Sequence, residues 1–159
     1  MNLDSSSITL ARFNLRARIA HVFAMDEFKP TGNRTFCNKA AAMLAGFYKY
    51  PDFNGLVANH EIKLMQQNLS WLKVDSNVAA LFANLGALVF AAQAAAVHGH
   101  IVGLLPDPPV WSKIWRKHAP LCLDIGARHT IGKSTAWAFV NEPAYFVLRR
   151  SAPWELPTE

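Results

Sequence analysis

The sequence predicts an α+β domain in which N-terminal helices pack on a mainly antiparallel sheet. Helical periodicity fills the first half of the chain. Short apolar runs separated by Gly, Pro and polar residues fill the second, and the change of texture falls at Gly86. Helices first and strands afterwards is the order expected of this class.

Residues 8–28 read as a helix with Leu10, Phe13, Ile19, Val22 and Phe23 as its apolar positions and Arg12, Arg16 and Arg18 mainly outside. Lys29-Pro30-Thr31-Gly32-Asn33 ends it, because proline and glycine break the pattern. A second helix starts at Cys37 and runs to about residue 48 with an alanine-rich face. After the turn cluster Tyr50-Pro51-Asp52-Phe53-Asn54-Gly55, a third helix runs from near Asn59 through Gln67, and a fourth, capped by Asp75 or Ser76, spans residues 77–85. Residues 87–92, 99–105, 121–125, 136–140 and 145–149 read as strands. Residues 79–97 are about long enough to cross a bilayer as one helix. Asn84, Gly86 and Gln93 interrupt them, so a helix end, a turn and a buried strand is the stronger reading, without stable membrane insertion.

With 159 residues, 52% hydrophobic and 17% charged, the chain predicts a single domain and excludes disorder. A net charge of +5 and a pI near 9.5 favour anionic partners, among them nucleic acid, acidic lipid and the bacterial cell wall. The basic residues are dispersed, and no helix-turn-helix, zinc-ligand spacing or aromatic-basic interleaving is present, which argues against a nucleic-acid module. Two cysteines make no disulfide framework, and reduced thiols are expected. Met-Asn-Leu-Asp-Ser-Ser-Ser has neither the positive nor the apolar region of a secretory signal, so synthesis in the cytoplasm is expected, with another exit route if the protein acts elsewhere.

Cys37 carries the chemistry. It sits where a loop runs into a helix, and the unpaired N–H groups and dipole of a helix N-terminus stabilise a thiolate. His100, entered through Gly99 at the start of an apolar strand, is the expected base in preference to His98, His118 and His129. Asp124, at a strand end, is the expected third member that orients the imidazole. Cys122 lies in an apolar strand and is expected to be inert. Asn33, Thr35 and Asn38 are candidates for the oxyanion site and substrate binding, while Asn59 and Glu61 are placed to line the groove. Trp111 and Trp115, in the Pro- and Trp-rich stretch 106–120, suit stacking on sugar rings; the alternative is a hydrophobic loop over the sheet edge. No metal or organic cofactor is required.

At these residues the chain resembles a known family. Thr35-Phe36-Cys37-Asn38, Tyr50-Pro51-Asp52-Phe53, Ala58-Asn59, Trp71, Ala83-Asn84-Leu85-Gly86, Gly99-His100-Ile101-Val102 and Asp124-Ile125-Gly126 resemble the papain-like peptidoglycan amidases and endopeptidases, in the phage and bacterial branch related to NlpC-type and CHAP hydrolases. The resemblance implies a nucleophilic cysteine starting a helix packed on an antiparallel sheet, a histidine starting the next-but-one element and a polar residue on the adjoining strand. Cys37, His100 and Asp124 fall on those positions. It divides the chain into a helical extension, residues 1–30, a papain-like core, 31–150, and a tail, 151–159. The chain departs from the family in its 106–120 insert and in having Asp124 where Asn is expected.

The implied activity is cleavage of amide bonds in bacterial peptidoglycan, as a stem-peptide endopeptidase or N-acetylmuramoyl-L-alanine amidase. The implied setting is a phage lysin or a secreted antibacterial effector, acting in the periplasm or on the wall after phage-mediated release or specialised secretion. An effector implies a cognate immunity or inhibitor protein that plugs the Cys37 groove. The alternative is a non-catalytic structural or interaction protein of a phage particle or secretion apparatus.

Overall fold

Helix α1 (Ser5–Ala24) begins where Asp4 caps it, its Oδ1 accepting the Ser6 N–H at 3.2 Å. The computed structural model describes residues 4–32 and 34–153. A 3₁₀ turn, Asp26–Phe28, follows α1. The stripe that α1 buries is Leu15, Ile19 and Val22, spaced four and three apart. Leu10 and Phe13, expected inside, lie off that stripe and are 60% and 67% exposed. Helix α2 (Cys37–Gly46) packs beside α1 through its alanines, with Ala40, Ala41 and Ala45 all buried. Helix α3 (Ala58–Gln67) follows, and its last turn leads into strand β1 (Trp71–Val74). The sequence reading missed β1, a four-residue edge strand in which only Trp71 is buried. Asp75 then caps α4 (Ser76–Asn84), its Oδ1 accepting the Asn77 and Val78 N–H groups, both at 2.9 Å.

Gly86 turns the chain at φ +93°, where a side chain would strike the Ala11 backbone, and strand β2 (Val89–Gln93) begins. Residues 79–97 are therefore a helix end, a turn and a strand. No helix among the described residues is long and apolar enough to cross a membrane. Strands β3 (His100–Leu104), β6 (Leu121–Asp124), β7 (Thr130–Ser134) and β8 (Ala144–Leu148) complete a six-stranded sheet of order β1-β8-β2-β3-β6-β7, antiparallel at every pairing. The domain is thus α+β with a mainly antiparallel sheet. The expected strand over 136–140 is instead a short helix, α5 (Thr135–Ala138), with Ala136 and Phe139 buried at helical rather than strand spacing. The strand lies just before it, as β7.

Both faces of the sheet are covered. Phe90, Ile101, Phe146 and Leu148 point toward α1, α2 and α3 with Leu15, Leu44, Ile62 and Trp71. Val89, Ala91, Val102, Leu104, Tyr145 and Val147 point the other way, under Ala79 and Ala83 of α4. Burial on both faces is why these strands read as near-continuous apolar runs. The 106–120 insert forms a separate hairpin, β4 (Val110–Ser112) paired with β5 (Lys117–Ala119). Its base is fixed by α1, where Arg16 pairs with Asp107 at 2.8 Å and bonds the Pro106 carbonyl at 3.2 Å.

Candidate active site

Cys37 is the first residue of α2 and is 5% exposed. The N–H of Phe36 donates to the Ile125 carbonyl at 3.2 Å, tying the start of α2 to the end of β6. Among the described residues no side chain caps α2, whose cap position is Phe36. The first-turn N–H groups of Cys37, Asn38 and Lys39 have no acceptor within the helix, and these residues line a cleft of about 610 Å³. Arg34, Thr35, Val57, Asn59, Val97 and His98 complete much of its wall, and no Asp or Glu is among its lining residues.

The sheet register brings His100 and Asp124 together. Gly103 pairs with Leu123 and Leu104 with Cys122, so continuing the ladder sets His100 opposite Gly126 and diagonal to Asp124. His100 Nε2 lies 3.1 Å from Asp124 Oδ1, which also accepts the Gly126 N–H at 2.8 Å. Cys37 also interacts with the imidazole, whose Nε2 is committed to Asp124. Phe139 covers the ring at a centroid distance of 5.2 Å. Burial disfavours the imidazolium, but hydrogen bonds and charge from Asp124 and Cys37 outweigh it and push the His100 pKa up to about 9. Burial likewise opposes ionisation of Asp124. The His100 hydrogen bond and charge, the Gly126 N–H and Arg128 overcome that and hold its carboxyl below the ordinary value. The arrangement favours a protonated His100 beside the Asp124 carboxylate.

Other candidates are placed differently. Thr35 is exposed on the cleft wall. Asn38 lines the cleft but spends its Nδ2 on the Leu56 carbonyl at 2.8 Å. Asn59 clasps Ala95, donating to its carbonyl at 2.8 Å and accepting its N–H at 3.3 Å, and so holds the loop before β3 against α3. Gly99 makes this approach possible, because a Cβ there would collide with Asn59 Oδ1 and Ile62 Cδ1. Asn33 lies outside the described residues. Trp111 and Trp115 are not among the residues lining the Cys37 cleft. Trp115 packs on the α4 side of the sheet and donates its indole N–H to the Val140 carbonyl at 3.2 Å. Trp111 is exposed on the hairpin with its ring edge-on to His118. Cys122 is buried, and burial raises its thiol pKa well above the ordinary range.

Sequence reasoning placed Glu61 on the groove and missed its burial. It sits on the inward face of α3 with Ala58, Ile62 and Met65, 0% exposed, and neither carboxyl oxygen has a hydrogen-bond partner among the described residues. Burial, then the charge of Cys37, push its pKa up to about 9. A glutamate three residues from one apolar helix position and four from another was the available signal. Arg128 and Phe139 gave no such signal, because their closeness to Asp124 and His100 depends on the tertiary fold.

His100 and Glu61 give stability the same pH dependence. Each binds its proton more tightly folded than unfolded. The His100 contribution is full below 6.5 and lost as pH rises to about 9. Glu61 favours the folded state less and less from 4.5 to about 9. Asp124 has the opposite sign and weakens the fold only as pH falls through its lowered pKa. Tm measured by calorimetry is therefore expected to be highest near pH 5 and to fall toward pH 9, with a shallower fall in Glu61→Gln. A flat profile would contradict the burial of these groups.

Among the described residues no group of three His, Cys, Asp or Glu side chains could hold a metal ion. Compared with models of known protein families and with curated proteins, the sequence matches none.

Proposed function

We propose that this protein is a papain-like cysteine hydrolase of amide bonds in bacterial peptidoglycan, acting on stem peptides or on the amide that joins them to the glycan. The observation that carries the reading is the grouping of Cys37, His100 and Asp124 from three separate elements, with Cys37 on the wall of a cleft. In the reaction His100 takes the Cys37 proton, the thiolate attacks the amide carbonyl, and the imidazolium returns the proton to the leaving amine. Water then releases the acyl-enzyme. The uncapped N–H of Cys37 is placed to meet the oxyanion. Arg34, Lys39 and His98 around a cleft without acids suit a peptide that bears carboxylates. A phage lysin and an injected antibacterial effector are both consistent with this chemistry, and the effector would have an immunity protein as partner.

A second reading, a structural or interaction protein that retains the fold without catalysis, is favoured by exposed apolar residues away from the cleft, among them Ile114, Trp137 and Val140. Incubating wild type and Cys37→Ala with isolated sacculi, and weighing the soluble products by mass spectrometry, separates the two. Wild type alone is expected to release fragments, and their masses name the bond. Release by neither protein, across walls of different cross-link chemistry, would favour the structural reading.

A further inference from the structure

The buried carboxyl of Glu61 is the group in this molecule that its surroundings least explain. Helix α3 packs against α2, β3 and β1, and the first two carry Cys37 and His100. One turn before Glu61, Ala58 and Asn59 form part of the cleft wall, while the next residue, Ile62, lies against Gly99. Glu61 thus lies on the buried face of the helix that packs against the elements carrying Cys37 and His100. Among the described residues no Lys or Arg is bonded to it: Lys39 on α2, Lys73 on β1, and His60 and Lys63 on α3 itself are exposed, His100 on β3 is bonded to Asp124, and both Glu61 oxygens lack a hydrogen-bond partner.

A carboxylate in that position would be buried and unpaired, which proteins avoid by keeping the proton on. An apolar side chain would fill the same space at lower cost to stability, so a carboxyl there points to a role. Charge bookkeeping at the site suggests what the role is. A Cys37 thiolate, a His100 imidazolium and an Asp124 carboxylate together carry one net negative charge. An ionised Glu61 would add a second, electrostatically coupled to Cys37, and would oppose the thiolate.

We propose that Glu61 is a positioning residue of the Cys37 site: a buried neutral acid on α3 whose own ionisation, which no apolar side chain could undergo, turns off the charged, reactive form of the site. The role rests on the thiol-hydrolase reading above. Its ionisation at alkaline pH is then a built-in upper limit on the charged, reactive form of the site, separate from loss of the His100 proton.

Two measurements on the whole protein test this. The infrared difference spectrum of wild type minus Glu61→Gln at pH 7.5 is expected to show the carbonyl stretch of a protonated carboxylic acid; a carboxylate band in its place would overturn the proposal. The second compares alkylation of Cys37 by anionic iodoacetate and by neutral iodoacetamide from pH 7 to 10, read by mass spectrometry of the Cys37 peptide. As His100 loses its proton the ratio of the two rates falls in both proteins. In wild type it is expected to fall about two- to tenfold further, because ionised Glu61 also repels the anionic reagent. Equal falls in wild type and Glu61→Gln would overturn the proposal while leaving the nucleophile intact. A Cys37 that neither reagent modifies in either protein would overturn the thiol reading, and the role of Glu61 with it. Glu61→Met serves as a second variant should the buried amide unfold the chain.

Discussion

Replacing His100 by alanine is expected to lower kcat/KM on peptidoglycan fragments about 10³- to 10⁴-fold, to near the level of Cys37→Ala. The imidazole meets the buried Asp124 at 3.1 Å and interacts with Cys37, so its loss leaves the thiol without its expected proton acceptor and Asp124 without its imidazole partner. Asp124→Asn keeps the geometry, since an amide oxygen can still accept from His100 Nε2 and from the Gly126 N–H, yet it is expected to cost up to about 10⁴-fold, because an amide neither fixes the imidazole tautomer nor stabilises the imidazolium. The charge is gone, however, and Asp124 is what chiefly raises the His100 pKa against burial. The alkaline limb of the pH profile is therefore expected to move to lower pH in Asp124→Asn. Steady-state kinetics between pH 5 and 10, with Tm as a folding control, read both effects. Folded His100→Ala with wild-type kcat/KM would remove the base from the mechanism.

What was legible in the sequence was whatever local chemistry determines. Cys37 could be placed at a helix start because turn residues precede it and alanines follow, and α2 begins there. The central strands β2, β3 and β8 were visible because they are buried on both sides and apolar throughout. His100 and Asp124 were readable as strand ends because glycine and turn residues border them. The edges of the sheet were not. β1 has one buried residue in four, and β7 bears Gly132 at φ +80° beside the irregular pairing at Cys122 and Leu123, so neither shows a clean alternation. The hairpin in 106–120 was hidden behind its prolines, and Trp115 packs away from the cleft because it has apolar neighbours on the α4 side of the sheet, while Trp111 stays exposed. At the site, Cys37, His100 and Asp124 could be proposed one by one, whereas the contact of Phe139 with His100 comes from tertiary neighbours that no spacing reveals.

Gly126 gives the sharpest test of the site geometry. It lies opposite His100 by the β3–β6 ladder, and a Cβ built on it falls 2.7 Å from His100 Cε1 and 2.7 Å from Asp124 Oδ1. Neither neighbour can yield cheaply: Asp124 is buried, and the His100 ring is backed by Phe139. Gly126→Ala should therefore wedge the imidazole away from the carboxylate while leaving the strands on either side unchanged. The expected stability cost is about 1–3 kcal/mol, the usual penalty of overpacking. The expected loss of activity is much larger, about 100-fold or more, because displacements of about 1 Å among reacting groups have effects of that size. kcat/KM measured beside Tm separates the two, and the His100 ring ¹H and ¹⁵N shifts report whether the Asp124 hydrogen bond has gone. A folded Gly126→Ala with wild-type kcat/KM would mean that the contact between His100 and Asp124 is not what positions the base.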